Sequence, residues 1–274
     1  YGEVSGMPLR SHPRPPVDPA AMNGPGGSMW TNLGYWVRAT DAAADTRAAA
    51  VHYTEAAEAL ARRVAAAARL APDDVVVDYA CGFGDSLRLW VEAYGARSVV
   101  GIEPDPHVCR VIESRVRAWG LANRITVICA AAEAVAPPEA ATGVTAVVCV
   151  DAAYHFATRH SWIASLGASA PVGLRFGLAD LCVPDAKARS LRLRALARLM
   201  RIPRHNLVSA RNIAMGCEDA GFTVHHCTPV GAAVLDGFVA HAPLGTMPVA
   251  VTRAAIALAR RAGLLDYFVM GAER

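Results

Sequence analysis

The chain has 274 residues, 54% hydrophobic and 19% charged, with a net charge of +3 at neutral pH. That apolar share is ample for one large α/β core, and it excludes an intrinsically disordered chain. Lys187 is the only lysine among 27 basic residues and no uninterrupted Lys/Arg-rich run occurs, so charge lends no support to a nucleic-acid partner. No stretch nears the ~18 consecutive apolar residues of a membrane helix, and none resembles a signal peptide. Seven scattered cysteines without a C-x-x-C spacing read as reduced thiols, and so as a cytoplasmic protein without membrane insertion.

Residues 1–28, rich in Pro and Gly, read as a flexible tail. Residues 29–70 read as an N-terminal lid: the aromatic tract Trp30–Trp36, then a helical region from Asp41 to Leu70 with Tyr53, Ala57, Leu60 and Val64 at spacings of three and four. From 71 to 182 short β-branched runs alternate with helical ones. Strands are expected at Val75–Asp78, Ser98–Glu103, Ile125–Cys129, Val144–Val150 and Leu174–Asp180, with helices at Ser86–Tyr94, Pro106–Trp119 and Ser161–Ser169. Residues 183–215 interrupt the pattern with an Arg/Leu-rich helix, Ala186–Met200, read as an inserted helical cap. Within 216–274 the core resumes: the helix Ala210–Ala220 leads into it, strands Phe222–Cys227 and Tyr267–Ala272 follow, and a helix at Val249–Ala262 lies between them. The fold expected is α/β: a Rossmann-like, mostly parallel sheet of seven strands with helices on both faces, plus the lid and the cap.

The tract Val75–Asp85 carries the chemistry. A buried strand enters a turn with Gly82 and Gly84, where a ligand can approach the backbone, and a helix N-terminus follows. Glu103, 19 residues after Gly84, ends the second strand where a ribose-binding acid belongs. The third small residue of a dinucleotide fingerprint is replaced by Leu87, and no G-K-[ST] occurs, which argues against NAD and ATP. An ordinary tight turn is the alternative for a lone glycine pair; strand, G-x-G, helix, strand and terminal acid in order favour a nucleoside-containing ligand.

With these residues the chain resembles the class I S-adenosylmethionine-dependent methyltransferases, in the branch that acts on small molecules such as natural products, sugars and tocopherol-like compounds. Asp78-Tyr-Ala-Cys-Gly-Phe-Gly84 matches the family's D-x-G-C-G-x-G, and Val-Val-Gly-Ile-Glu103-Pro104 its second motif. Ala130-Ala-Ala-Glu133 stands for its G-D-A-E, and Asp151 ends the fourth strand. Two positions depart. The first family glycine is Ala80, which requires negative φ or strain, and the acid usual near adenine is Ala131.

The resemblance implies S-adenosyl-L-methionine as cofactor and S-adenosyl-L-homocysteine as product. Asp78, Ala80, Gly82, Gly84 and Asp85 would face its methionine part, Glu103 and Pro104 its ribose, and Ala132 and Glu133 its adenine. Asp151 would lie nearby, and Tyr35 and Trp36 would fold over the cofactor; anchoring of the N-terminus is an equal reading for that aromatic pair. His155, Tyr154 and Asp180 are the catalytic candidates, with His155 as base and Asp180 orienting it; each has a packing role as its alternative. Cys217, His225, His226 and Cys227 lack metal-site spacing, so no metal is expected. The Arg-rich helix reads as a solvated cap face.

The function expected is methylation, foremost on oxygen and otherwise on carbon or nitrogen, of a small hydrophobic metabolite in specialised metabolism. A cyclase or rearrangement enzyme that binds the cofactor without transferring its methyl group is the alternative, and a silent partner subunit a third reading. The partner expected is a small-molecule acceptor, with self-association left open.

Overall fold

The computed structural model describes residues 22–23, 27–36, 46–243 and 247–274. Most of the stretch expected to be a flexible tail, and residues 37–45 of the expected lid, lie outside these. Helix α1 spans Thr46–Ala67, and its last turn leads into β1, Val75–Tyr79. Strands and helices then alternate: α2 Asp85–Glu92, β2 Ser98–Glu103, α3 Pro106–Ala118, β3 Ile125–Cys129, the single turn α4 Pro137–Ala140, β4 Ala146–Val150, α5 Arg159–Ser169 and β5 Arg175–Cys182. The cap helix α6 is Leu191–Leu199, followed by α7 Ala210–Asp219, β6 Thr223–Pro229, α8 Gly237–His241, α9 Met247–Arg261 and β7 Asp266–Glu273.

The sheet order is β3-β2-β1-β4-β5-β7-β6. The first five strands pair in parallel, and β7 runs antiparallel between β5 and β6. Strands β1, β2, β4 and β5 are apolar almost without interruption because helices cover both faces. Helices α1, α2 and α3 cover one face, where Leu60, Trp90 and Ile112 share a core cluster. Helices α5 and α7 cover the other with Trp162, Leu166 and Cys217. The C-terminal turn of α1 rests on β7 at Gly271, where a Cβ would stand 2.2 Å from the Ala67 carbonyl oxygen. The edge strand β6 is largely exposed, and the edge strand β3 partly so.

Three differences from the sequence expectation have local causes. The cap helix starts at Leu191 rather than Ala186, because the Ser190 side chain accepts from the Leu193 N–H and caps it there. The connection between β6 and β7 contains a π-helical turn, Ala232–Asp236, running into α8. Met22 and Asn23, within the stretch expected to be a tail, are buried, and Asn23 exchanges hydrogen bonds with the backbone of Trp30.

The tract 27–36 crosses the carboxyl end of the sheet as a strap. The Tyr53 hydroxyl on α1 donates to the carbonyls of Trp30 and Asn32, and the Asn32 amide donates to Ala57 O at 3.1 Å. Leu33 N–H donates to Asp151 at the end of β4. The strap therefore lies over the point where β1 separates β2 from β4, which is where an open α/β sheet binds ligands.

Candidate active site

A cavity opens between the end of β1 and the strap. Its floor is Asp78, Ala80, Cys81, Gly82, Phe83, Asp85 and Ser86, and Met29–Asn32 cover it. Ala80, Gly82 and Gly84 all have positive φ, at +57°, +57° and +87°. The turn is thus left-handed at three alternate positions. Ala80 bears the strain that a Cβ brings to this region, on the order of 1 kcal/mol. Gly84 tolerates no side chain, since a Cβ would stand 2.9 Å from Ile112 Cγ2.

The two aspartates of the turn sit differently. Asp85 is clamped by Arg115, whose guanidinium reaches both carboxylate oxygens at 2.7 and 2.9 Å, and it accepts the Met29 N–H. Arg115 also donates to the carbonyls of Gly27 and Phe83, so it ties the strap to the turn. Asp78 is buried, and its bonds are to neutral donors, the Trp90 indole at 2.7 Å and Ser86. Burial pushes its carboxyl up to about 6 despite those bonds. Asp78 is thus the carboxylate on the cavity left to meet a cation, whereas Asp85 already has one.

Of the other residues expected at the cofactor, Glu103 is buried at the end of β2 and accepts the Asp105 N–H; Pro104 beside it is exposed. The Ala130 N–H reaches the Glu103 carbonyl, which brings Ala132 and Glu133 to the same sheet end. Glu133 accepts from the Thr158 N–H. None of these lines the cavity, nor do Tyr35 and Trp36. Tyr35 stacks under the Arg63 guanidinium, 4.5 Å away. Trp36 docks between Tyr53 and His241 and hydrogen-bonds through its backbone N–H to Ala233 O.

Beyond β4 lies a second polar centre. Asp151 has φ +58° and is buried; it accepts from Leu33 N–H at 2.7 Å, the Tyr267 hydroxyl at 2.8 Å and the Tyr154 side chain. Burial pushes its carboxyl up to about 7. The next turn carries Tyr154, buried, and His155, exposed with Nδ1 3.4 Å from Arg201 O. Asp180 does not reach the His155 ring. It forms a fully buried ion pair with Arg159 and accepts the Tyr154 N–H at 3.1 Å. Burial raises the Asp180 carboxyl although Arg159 pulls the other way. Asn206 completes the support by donating to the carbonyls of Tyr154 and Phe156.

Sequence reasoning passed over Met29–Asn32, Arg115, Arg159, Asn206 and the Tyr267 hydroxyl as site elements. Each acts through a partner at least 20 residues away, which no local pattern signals. Among the described residues no group of His, Cys, Asp and Glu could hold a metal ion.

Residues 76–170, which include this turn together with Asp151, Tyr154, His155 and Arg159, match the methyltransferase domain family. That match spans about a third of the chain and is a likeness to a methyltransferase domain. Solved structures share the fold over most of the chain. The geranyl diphosphate C-methyltransferase of Streptomyces coelicolor A3(2) matches with a TM-score of 0.73 at 18% identity, over 89% of this chain and 89% of its own. The cyclopropane synthase MmaA2 of Mycobacterium tuberculosis matches at 0.71 and 16%, over 93% and 92%. The [4+2]-cyclase SpnF matches at 0.67 and 17%, over 89% and 86%. No curated protein sequence matches the chain. Among the described residues no helix is long and apolar enough to cross a membrane.

Proposed function

We propose that this protein transfers the methyl group of S-adenosylmethionine to an oxygen of a small, rather hydrophobic metabolite, with carbon and nitrogen as the next acceptors. The observation that carries the reading is the left-handed turn at 80, 82 and 84, roofed by Met29–Asn32 and bearing one carboxylate without a cationic partner, Asp78. The backbone of the turn, open at Gly82, suits the close approach of a polar chain. When bound, the sulfonium cofactor supplies an electrophilic methyl group for an in-line displacement, so positioning and exclusion of water are the protein's tasks.

Asp78 holds the ammonium of the methionine part, Glu103 the ribose hydroxyls, and Ala132 and Glu133 border the adenine. The strap excludes water. His155 takes the proton of an acceptor hydroxyl, and Asp180, through the Tyr154 N–H, is a positioning residue for that turn. Asp151, bonded to Tyr154 and Tyr267, ties the strap to the acceptor side.

The test is incubation with methyl-labelled S-adenosylmethionine and a panel of hydroxylated, apolar metabolites, read by product mass. A gain of one methylene equivalent with label supports methylation, and the carbon chemical shift of the labelled methyl group tells an oxygen acceptor from carbon or nitrogen. Conversion without mass change supports a second reading, cyclisation or rearrangement with the cofactor retained. The fold likeness to SpnF favours that reading, as does the strained Ala80 in the cofactor turn.

A further inference from the structure

Seven large apolar side chains stand exposed among the described residues, and five of them lie on two helices that touch each other, α6 and α9. On α6, Leu191, Ala195 and Leu199 follow one another at intervals of four and are all exposed, while Leu193 and Ala197 face the core. On α9, Met247, Val251, Ala254 and Leu258 are exposed at intervals of four, three and four, while Val249, Ile256 and Ala259 are buried. A helix on a globular core needs one apolar stripe. Each of these two has a second, turned to solvent.

Cations surround the outer stripe. Arg192, Arg194 and Arg198 are exposed on α6 itself, and Lys187 and Arg189 precede it. Residues 186–200, which lead into and form α6, hold five basic and no acidic residues, against a net charge of +3 for the chain, so the remainder of the protein is net acidic. The positive charge is therefore concentrated around α6 rather than spread over the protein.

We infer that the α6–α9 face docks on an anionic lipid bilayer, with Leu191, Leu199, Met247, Val251 and Leu258 entering the acyl boundary and the flanking arginines meeting headgroup phosphates. An exposed apolar stripe flanked by arginine has the form of an interfacial helix. A second copy of the chain fits poorly: the same patch turned on itself would oppose cation to cation with no acid between. A nucleic acid fits poorly too, since neither helix carries an aromatic ring on which bases stack.

The test is co-sedimentation of the full chain with phosphatidylcholine vesicles and with mixed phosphatidylcholine–phosphatidylglycerol vesicles, at low and high salt. The expected result is binding to the mixed vesicles alone, weakened by salt. Arg192→Ser and Arg194→Ser should each lower partitioning about fivefold. Leu191→Ser with Leu199→Ser should lower it at least tenfold while thermal unfolding stays as in the unaltered protein, because both side chains already stand in water. Failure to bind the mixed vesicles overturns the inference, as does undiminished binding by the double leucine variant. A concentration-dependent dimer that this variant dissolves would assign the face to self-association and overturn it equally.

Discussion

The Tyr267 hydroxyl donates to Asp151 Oδ1 at 2.8 Å across 116 positions of sequence, while the other oxygen of the same carboxylate receives the Leu33 N–H. One carboxyl group thus joins the strap, the end of β4 and the start of the antiparallel strand β7.

Stability should fall as pH rises from about 4 to about 7. Burial pushes Asp151 up to about 7 and Asp78 up to about 6. In the unfolded chain both ionise near the ordinary 3.8, so between that value and the folded one the native state holds protons the unfolded state has released. The cost of ionising in place is absent below pH 4 and fully present above about 7. Asp151→Asn should shrink the drop in urea-unfolding free energy between pH 5 and pH 8 by about 2.5 kcal/mol. An unchanged drop would show that Asp151 is not the group responsible. In Tyr267→Phe, loss of the donor should move the Asp151 transition to higher pH.

Cofactor affinity should depend on the same chemistry at Asp78. Only its ionised form attracts an ammonium group, and that form is lost as pH falls through about 6. The dissociation constant of S-adenosylhomocysteine should rise roughly tenfold per pH unit below that point. Titration calorimetry in two buffers of different ionisation enthalpy should show proton release on binding at pH 5.5 and little at pH 7.5. Asp78→Asn should flatten the profile; persistence of the pH dependence in that variant removes Asp78 from the role.

Removing Arg159 should be far worse than removing its ion pair. With Arg159 replaced by Met, the fully buried Asp180 carboxylate loses its countercharge, which costs about 3–5 kcal/mol. Arg159→Met combined with Asp180→Leu should recover much of that loss in chemical denaturation. Equal stability of the single and double variants would mean that the turn carrying Tyr154 and His155 does not depend on the pair.

Loosening the strap should speed cofactor release. A Cβ at Gly237 would stand 2.5 Å from Trp36 Cδ1, so Gly237→Ala must displace Trp36 from its seat beside α8. Stopped-flow measurement should show a faster off-rate for S-adenosylhomocysteine with a smaller change in on-rate. An unaltered off-rate would indicate that the strap is held from Met29–Asn32 alone.

What the amino-acid sequence determined by itself was local. Runs such as Val75-Val-Val and Val99-Val-Gly-Ile read as buried parallel strands because their own side chains are β-branched and uninterrupted. The turn at 80–84 is legible because glycine marks left-handed backbone, and even the strain at Ala80 follows from its missing glycine. Tertiary structure decided what meets at the site. Asp85 reads as a cofactor ligand until Arg115, 30 residues on, is seen to occupy it, and Tyr35 and Trp36 read as the roof until Met29–Asn32 are found there. The Asp151–Tyr267 and Arg159–Asp180 pairs arise only where strand order and register bring β4, β5 and β7 side by side. Periodicity records which face of an element is apolar, but a polar contact depends on the relative placement of two elements, and that is set by packing of the core between them.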